Sequence, residues 1–192
     1  MKLAIVIPTA DTVSTDFTMC LTRLVAHLCS VDVSPMIINP RSSLVQKGRW
    51  DGVRQALQHG ASHILFIDSD QTFPANAAAY LITLRKKIVG ATYRLRSDEV
   101  AYTARDKHGE RIDFSKRKGL HEVASNGLGF TLIDAEVFRK VDEPWFKVEY
   151  DGQKWISEDE SFFKAASAAG YKVWVDADLT SEVGHVGSKN YI

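Results

Sequence analysis

The sequence has no surplus of charge: 24 Lys and Arg balance 24 Asp and Glu over 192 residues. A neutral balance removes general attraction to nucleic acid or to an anionic membrane, so any recognition of anions must be local. Cysteine is scarce as well. Cys20 and Cys29 lie in one amphipathic stretch, too far apart along a helix to bridge, and neither has a metal-ligand pattern around it. No segment approaches the length of about 20 apolar residues that a transmembrane helix needs. The opening run Leu3-Ala4-Ile5-Val6-Ile7 is cut by Pro8 and Asp11, too short for a signal peptide. A soluble protein of the reducing cytoplasm is the expectation. Also missing is a glycine-rich, basic phosphate loop after the first apolar run, where Pro8-Thr9-Ala10-Asp11 has no Gly, Lys or Arg. Ser125-Asn126-Gly127-Leu128-Gly129 precedes a strand rather than a helix, so it is not a dinucleotide fingerprint. With no repeat, low-complexity tract or linker, one domain spanning 1–192 is the economical reading.

What is present is a run of β-α units. Residues 2–7 form an aliphatic, β-branched run ended by Pro8, a buried strand. Phe17, Leu21, Leu24, Val25 and Leu28 recur at helical spacing over 16–28, with Ser14 or Thr15 as the cap. A second strand is expected within 31–39, where Pro35 interrupts it. A second helix over 44–59 is closed by Gly60. The strand at His63 follows, and Pro74 opens a third helix over 75–87. Three such units in a row predict a parallel sheet. Shorter strands are expected at 88–93, 100–104, 120–124 and 129–133. Helices follow at 134–141 and 157–169, the latter ended by Gly170, and a last strand at 171–175.

The strongest chemical signal is Ile64-Leu65-Phe66-Ile67-Asp68-Ser69-Asp70. In open α/β sheets ligands bind beyond the carboxyl ends of strands. Two carboxylates there suit a hard divalent cation, Mg²⁺ or Mn²⁺, shared with substrate phosphates. Asp70 is the expected direct ligand, with Asp68 facing the metal or ribose hydroxyls; a plain Asp-Ser-Asp turn is the alternative. In Ser157-Glu158-Asp159-Glu160, Ser157 and Glu160 fit a capping box. Glu158 or Asp159 is left as a general base toward an acceptor hydroxyl. His185, between Gly184 and Gly187, suits a third metal ligand. Asn126 could donate to a sugar or belong to a simple turn. Arg41 and Arg94 follow strand ends, and with Lys47, Arg49 and Arg96 they offer cations for a diphosphate. Trp145, Phe146 and Trp155 are candidates either for stacking on an acceptor sugar or for the core.

Taken in order, Ile5-Val6-Ile7-Pro8-Thr9, the Asp68-Ser69-Asp70 strand end, Gly127-Leu128-Gly129-Phe130, Ser157-Glu158-Asp159 with Phe162, residues 170–176 and Gly184-His185-Val186-Gly187 form a pattern. It resembles the GT-A fold glycosyltransferases, close to the family 2-like group, in a compact version. The resemblance implies an α/β/α three-layer sandwich with a mostly parallel, mixed central sheet and a Rossmann-like nucleotide-binding half. It implies a transferase that uses Mn²⁺ or Mg²⁺ and a nucleotide-sugar, with a UDP-sugar the first expectation, and a glycan or other hydroxyl acceptor. On that likeness Asp70, Asp68 and His185 bind the metal and Asp159 is the base of an inverting transfer. Thr9, Asp11, Arg41 and Arg49 border the base or phosphates. Arg49 is followed by Trp50 where many relatives carry Asn. The rival expectations are a nucleotidyltransferase that makes NDP-sugars, and a catalytically silent nucleotide-binding module.

Overall fold

A computed structural model describes residues 1–97 and 100–187. In chain order the elements are β1 (Leu3–Val6), α1 (Thr15–Ser30), β2 (Met36–Ile38), α2 (Val45–Gln58), β3 (His63–Ile67), β4 (Gln71–Thr72), α3 (Ala77–Thr83) and β5 (Ile88–Gly90). Then come β6 (Leu120–Val123), β7 (Phe130–Asp134), α4 (Ala135–Lys140), β8 (Glu149–Tyr150), β9 (Trp155–Ile156), α5 (Glu158–Ala168), β10 (Val173–Asp176), α6 (Ala177–Thr180) and β11 (Gly184–His185).

The central seven-stranded sheet has the order β2-β1-β3-β7-β5-β10-β6. Strands β2, β1, β3, β5 and β10 run one way, while β7 and β6 run against them. Successive side chains of a strand point to opposite faces, and here both faces are covered. Ala4, Val6, Ile64 and Phe66 pack under α2, α4 and α5 through Val53, Phe138 and Phe162. Leu3, Ile5, Leu65 and Ile67 pack on the other face under α1 and α3 through Phe17, Leu24 and Leu81, with Leu179 of α6. Burial on two sides is why β1 and β3 read as unbroken apolar runs rather than alternating ones. The expected three-layer sandwich with a mixed, mostly parallel sheet is the architecture observed.

Local signals set the element ends. Ser14 Oγ accepts from the Phe17 N–H at 3.0 Å and starts α1. Gly60, at φ +72°, reverses the chain after α2. The helix expected over 75–87 is shorter, because Arg85 takes φ +51° just past Leu84. The strand expected at 88–93 stops at Gly90, since the Thr92 N–H turns away to Thr180 Oγ1 at 3.1 Å. The segment 100–104 forms no ladder: Tyr102 makes only an isolated bridge with Arg94. Trp145 and Phe146 are core residues, 4% and 5% exposed, and the Trp145 indole N–H donates to the Val141 carbonyl at 2.9 Å. No described helix is long and apolar enough to cross a membrane.

Two close approaches aim the chain at one end of the sheet. A Cβ at Gly52 would lie 2.3 Å from Val6 Cγ1, so only glycine lets α2 sit this close to β1. That contact carries Arg49, about one turn earlier, in against the end of β3. The two-stranded pair β4–β11 brings the chain after β10 back to the same end, with His185 opposite Gln71.

Candidate active site

Beyond Ile67, the Asp68 N–H donates to the Gly129 carbonyl at 2.9 Å, and the Gln71 N–H to the Asp68 carbonyl at 3.1 Å. This turn presents Asp68 and Asp70 at the strand end. Pairing of β4 with β11 seats His185 beside Asp70, with Nε2 3.4 Å from Oδ2. His185 Nδ1 lies 3.0 Å from the Arg94 carbonyl. Because a carbonyl only accepts, Nδ1 carries a proton, and Nε2, which faces Asp70, donates to that carboxylate when the ring is protonated and offers it a lone pair when the ring is neutral. A hydrogen bond from the far ring nitrogen of this kind orients a ligating imidazole. The Asp70 bond raises the His185 pKa, against the opposing effect of burial. Burial would raise the Asp70 carboxyl, but the hydrogen bond and charge of His185, with Arg96, hold it below the ordinary carboxylate range.

The donor set bears on a cation. Asp70 Oδ1 is buried with no hydrogen-bond partner, an oxygen in need of a positive ligand. Arg96 makes an ion pair with the other oxygen, Oδ2. Among the described residues no three His, Cys, Asp or Glu side chains are grouped to hold an ion. A carboxylate and an imidazole fit an ion that completes its shell from substrate oxygens and water, as Mg²⁺ commonly does with phosphates.

Arg49 lies beneath this turn, its side chain 4% exposed. Its Nη2 donates to both oxygens of Asp68, at 3.0 and 3.2 Å, and its Nη1 to Glu158 at the start of α5. Burial opposes the Arg49 charge, yet Asp68 and Glu158 outweigh it and raise its pKa. Burial likewise raises the Glu158 carboxyl, with Arg49 opposing and Asp159 adding to the rise. Asp159 accepts from the Ser157 hydroxyl and, at 2.8 Å, from the Glu160 N–H. The capping box is therefore only half formed: Ser157 Oγ receives the Glu160 N–H at 3.4 Å, while the Glu160 carboxylate faces Lys154 and Arg105.

Two clefts flank this clamp. The first, about 260 Å³, is lined by Thr9, Ser42, Ser43, Val45, Asp68 and Asp70. The second, about 140 Å³, is lined by Thr103, Arg105, Arg111, Asn126, Ser157 and Asp159, among others. The structure thus gathers Thr9, Asp68 and Asp70 at one cleft, with His185 against Asp70, and Asp159 with Asn126 at the other. Asp11 and Arg41 pair with each other at 2.9 Å on the surface next to Thr9. The Arg49 fork, expected near phosphates, is closed on Asp68 and Glu158. The Asn126 carboxamide is occupied at both ends, donating to the Ala91 carbonyl and accepting from the Thr103 hydroxyl, each at 3.0 Å. Sequence reasoning passed over Tyr93. This buried ring stands edge-on to His185 at 5.2 Å, and its hydroxyl accepts from the Gly129 N–H at 3.2 Å. Burial raises its pKa well above that of an ordinary phenol, with the Asp68 charge adding to the effect. The trace it leaves in the sequence is Gly127-Leu128-Gly129: a Cβ at Gly127 would lie 2.4 Å from the Tyr93 hydroxyl.

No protein-family model matches the sequence, and no curated protein matches it. Solved structures do share its fold. A197 from STIV is 22% identical, with a TM-score of 0.62, over 91% of this chain and 81% of that one. Drosophila β-1,4-galactosyltransferase 7, a mutant in complex with manganese, UDP-Gal and xylobiose, is 13% identical with a TM-score of 0.56, over 98% of this chain and 72% of that one. A Staphylococcus aureus TarS fragment is 15% identical with a TM-score of 0.55, and the alignment takes in 97% of this chain but 60% of the TarS fragment. At these identities the likeness is one of architecture. The chain has the GT-A fold, the architecture of TarS and the galactosyltransferase, which are GT-A-type glycosyltransferases.

Proposed function

We propose that this GT-A-fold chain is a metal-dependent glycosyltransferase of the cytoplasm. It moves a sugar from a nucleotide-sugar, first of all a UDP-sugar, to an acceptor hydroxyl with inversion. The observation that carries the reading is Asp70: one oxygen buried without a partner, the other beside His185 Nε2, at the mouth of a cleft next to Thr9. The galactosyltransferase that shares the fold is bound to manganese and UDP-Gal, which supports the same donor chemistry here.

In this reading Asp70 and His185 hold Mn²⁺ or Mg²⁺, with Asp68 on the nucleotide side, fixed by Arg49. A bound cation would neutralise charge that develops on the leaving diphosphate. Thr9, Asp11 and Arg41 border the nucleotide. In the second cleft Asp159 takes the proton of the acceptor hydroxyl. That oxygen forms the new bond to the anomeric carbon, while the bond from that carbon to the diphosphate oxygen breaks and its electron pair leaves with the nucleoside diphosphate. Glu158, held by Arg49, positions the start of α5, and Asn126 fixes the floor of the acceptor cleft.

The test is thermal stability with UDP, GDP, CMP and their sugar conjugates, with and without Mn²⁺, on the natural protein and on Asp70→Ala. A ligand at about 100 times its dissociation constant adds about 2.7 kcal/mol to the folded state. The expected result is a Mn²⁺-dependent upshift for one nucleotide class, absent in the variant. An equal upshift in Asp70→Ala overturns the metal assignment. Pyrophosphate released from a sugar phosphate and a nucleoside triphosphate makes the protein a nucleotidyltransferase instead. Nucleotide binding with no hydrolysis or transfer across a broad donor panel makes it a silent binding module.

A further inference from the structure

Trp155 is 71% exposed and Tyr150 57%. The two are cross-strand partners in the β8–β9 hairpin, with ring centroids 5.4 Å apart. The hairpin is braced. Its turn uses Gly152 at φ +96°, and the Asp151 carboxylate accepts from the Gln153 and Lys154 N–H groups at 2.8 and 2.9 Å. Ile156 anchors it, 8% exposed. A large aromatic pair held outward on a rigid ribbon costs apolar exposure, which an occupant would relieve.

Its position identifies the occupant. Trp155 and Ser157 are separated by one residue of extended chain, Ile156 of β9, and Ser157 continues that conformation at φ −71°, ψ 163°. Side chains two apart in extended backbone share a face. Ser157 lines the second cleft beside Asp159, so Trp155 stands on the same side, roughly 7 Å further along the chain. Lys154 ties the hairpin to α5, its Nζ 3.6 Å from Glu160, which lines the same cleft. About 140 Å³ with polar walls accommodates one sugar ring at Asp159. The next ring of a chain then falls over Trp155.

We infer that the acceptor is an oligosaccharide rather than a single sugar: the reacting residue sits at Asp159, and its neighbour stacks on the Trp155–Tyr150 platform. This rests on the transferase reading above. Other occupants fit less well. The hairpin carries Lys147 and Lys154 against Glu149 and Asp151, without the basic skirt that an anionic membrane favours. Two aromatic side chains offer about 300–500 Å², short of the roughly 800 Å² per partner in a stable interface.

The experiment is a glycan array of mono-, di- and trisaccharides, followed by calorimetry with the best disaccharide on the natural protein, Trp155→Ala and Trp155→Phe. The UDP and Mn²⁺ thermal shift is recorded in parallel. The expected result is a preference for two or more sugar units, a loss of about tenfold in disaccharide affinity in Trp155→Ala, and most of the affinity kept in Trp155→Phe. The inference is overturned by equal binding of mono- and disaccharides, by no glycan binding, or by an unchanged affinity in Trp155→Ala. It is also overturned if that variant loses binding to phosphatidylglycerol vesicles, or loses self-association, and not glycan affinity. A nucleotide shift without glycan binding removes this inference and leaves the transferase reading standing. Trp155-dependent glycan binding without any nucleotide shift keeps the platform as a glycan site, but overturns the transferase reading and with it the role of that glycan as acceptor.

Discussion

Arg49 grips both oxygens of Asp68, at 3.0 and 3.2 Å, from inside the protein, and its other terminal nitrogen meets Glu158. One guanidinium thereby joins α2, the end of β3 and the start of α5. Burying a lone charge is costly, but here each member of the trio has a partner.

Replacing Arg49 with Met leaves Asp68 and Glu158 as two partly buried carboxylates without a cation. Loss of one partner from a buried ion pair costs about 3–5 kcal/mol. Urea denaturation of Arg49→Met is expected to show a loss of that size, and adding Glu158→Gln should restore part of it. A midpoint equal to that of the natural protein would mean that the clamp contributes nothing to the fold.

Arg96 occupies one oxygen of Asp70, from a side chain 48% exposed. Exposed ion pairs are worth little, so the competition it offers to a cation is modest. Arg96→Ala should therefore tighten Mn²⁺ binding in the absence of nucleotide by up to about fivefold, read by calorimetry. Weaker Mn²⁺ binding in this variant would instead place Arg96 among the groups that build the site.

Gly127→Ala adds a methyl group 2.4 Å from the Tyr93 hydroxyl and 2.8 Å from its ring carbon Cζ. Gly127 is not among the residues at positive φ, so the cost is steric. Overpacking of this kind costs about 1–3 kcal/mol, and the displaced ring loses its edge contact with His185. A lower urea midpoint and a shifted His185 imidazole resonance are the expected pair of results. A shifted resonance with an unchanged midpoint would show that the ring moves at no cost.

Burial and a 2.9 Å bond to Asp176 push the Tyr80 phenol up to about 12. A folded value above the ordinary one of about 10 means stability fully present below about pH 10 and lost as pH rises through the folded value. Tyr80→Phe should flatten that alkaline decline in unfolding free energy. Titration of phenolate absorbance should also lose one late-ionising group. Identical alkaline profiles would detach Tyr80 from the effect.

The parts of this molecule that were legible in its sequence are those governed by local pattern. Ile64-Leu65-Phe66-Ile67 announced β3 because a strand covered on both faces must be apolar throughout. Ser14, Gly60 and Gly170 punctuated their helices through cap and turn chemistry. The two-residue strands β4, β8, β9 and β11 left no trace, since so short a pairing has no periodicity to detect. The segment 100–104 reads as a strand, but it meets residues 93–95 only through the Tyr102–Arg94 bridge and two flanking backbone bonds, too short a pairing for a ladder. At the site, the meeting of Asp70 with His185 was anticipated from chemistry and chain order. Arg49 reads in the sequence as a phosphate ligand, because nothing local in α2 reveals that residue 49 lies under Asp68. Tyr93 was passed over because its importance comes from the charges that surround it in three dimensions. Trp155 differs from Trp145 only in tertiary exposure.

The seam between β4 and β11 joins distant stretches of chain through two residue pairs, with the Val186 N–H bonded to the Asp70 carbonyl at 2.7 Å. Such a seam opens at a lower free energy than the seven-stranded sheet behind it. Competence and foldedness are consequently separate properties of this molecule. A population can retain both apolar layers and its full circular dichroism while a fraction of it lacks the Asp70–His185 pair. If the chain is the metal-dependent transferase proposed above, cation affinity should fade before the sheet melts as temperature rises, and inactivation and unfolding should trace two curves rather than one.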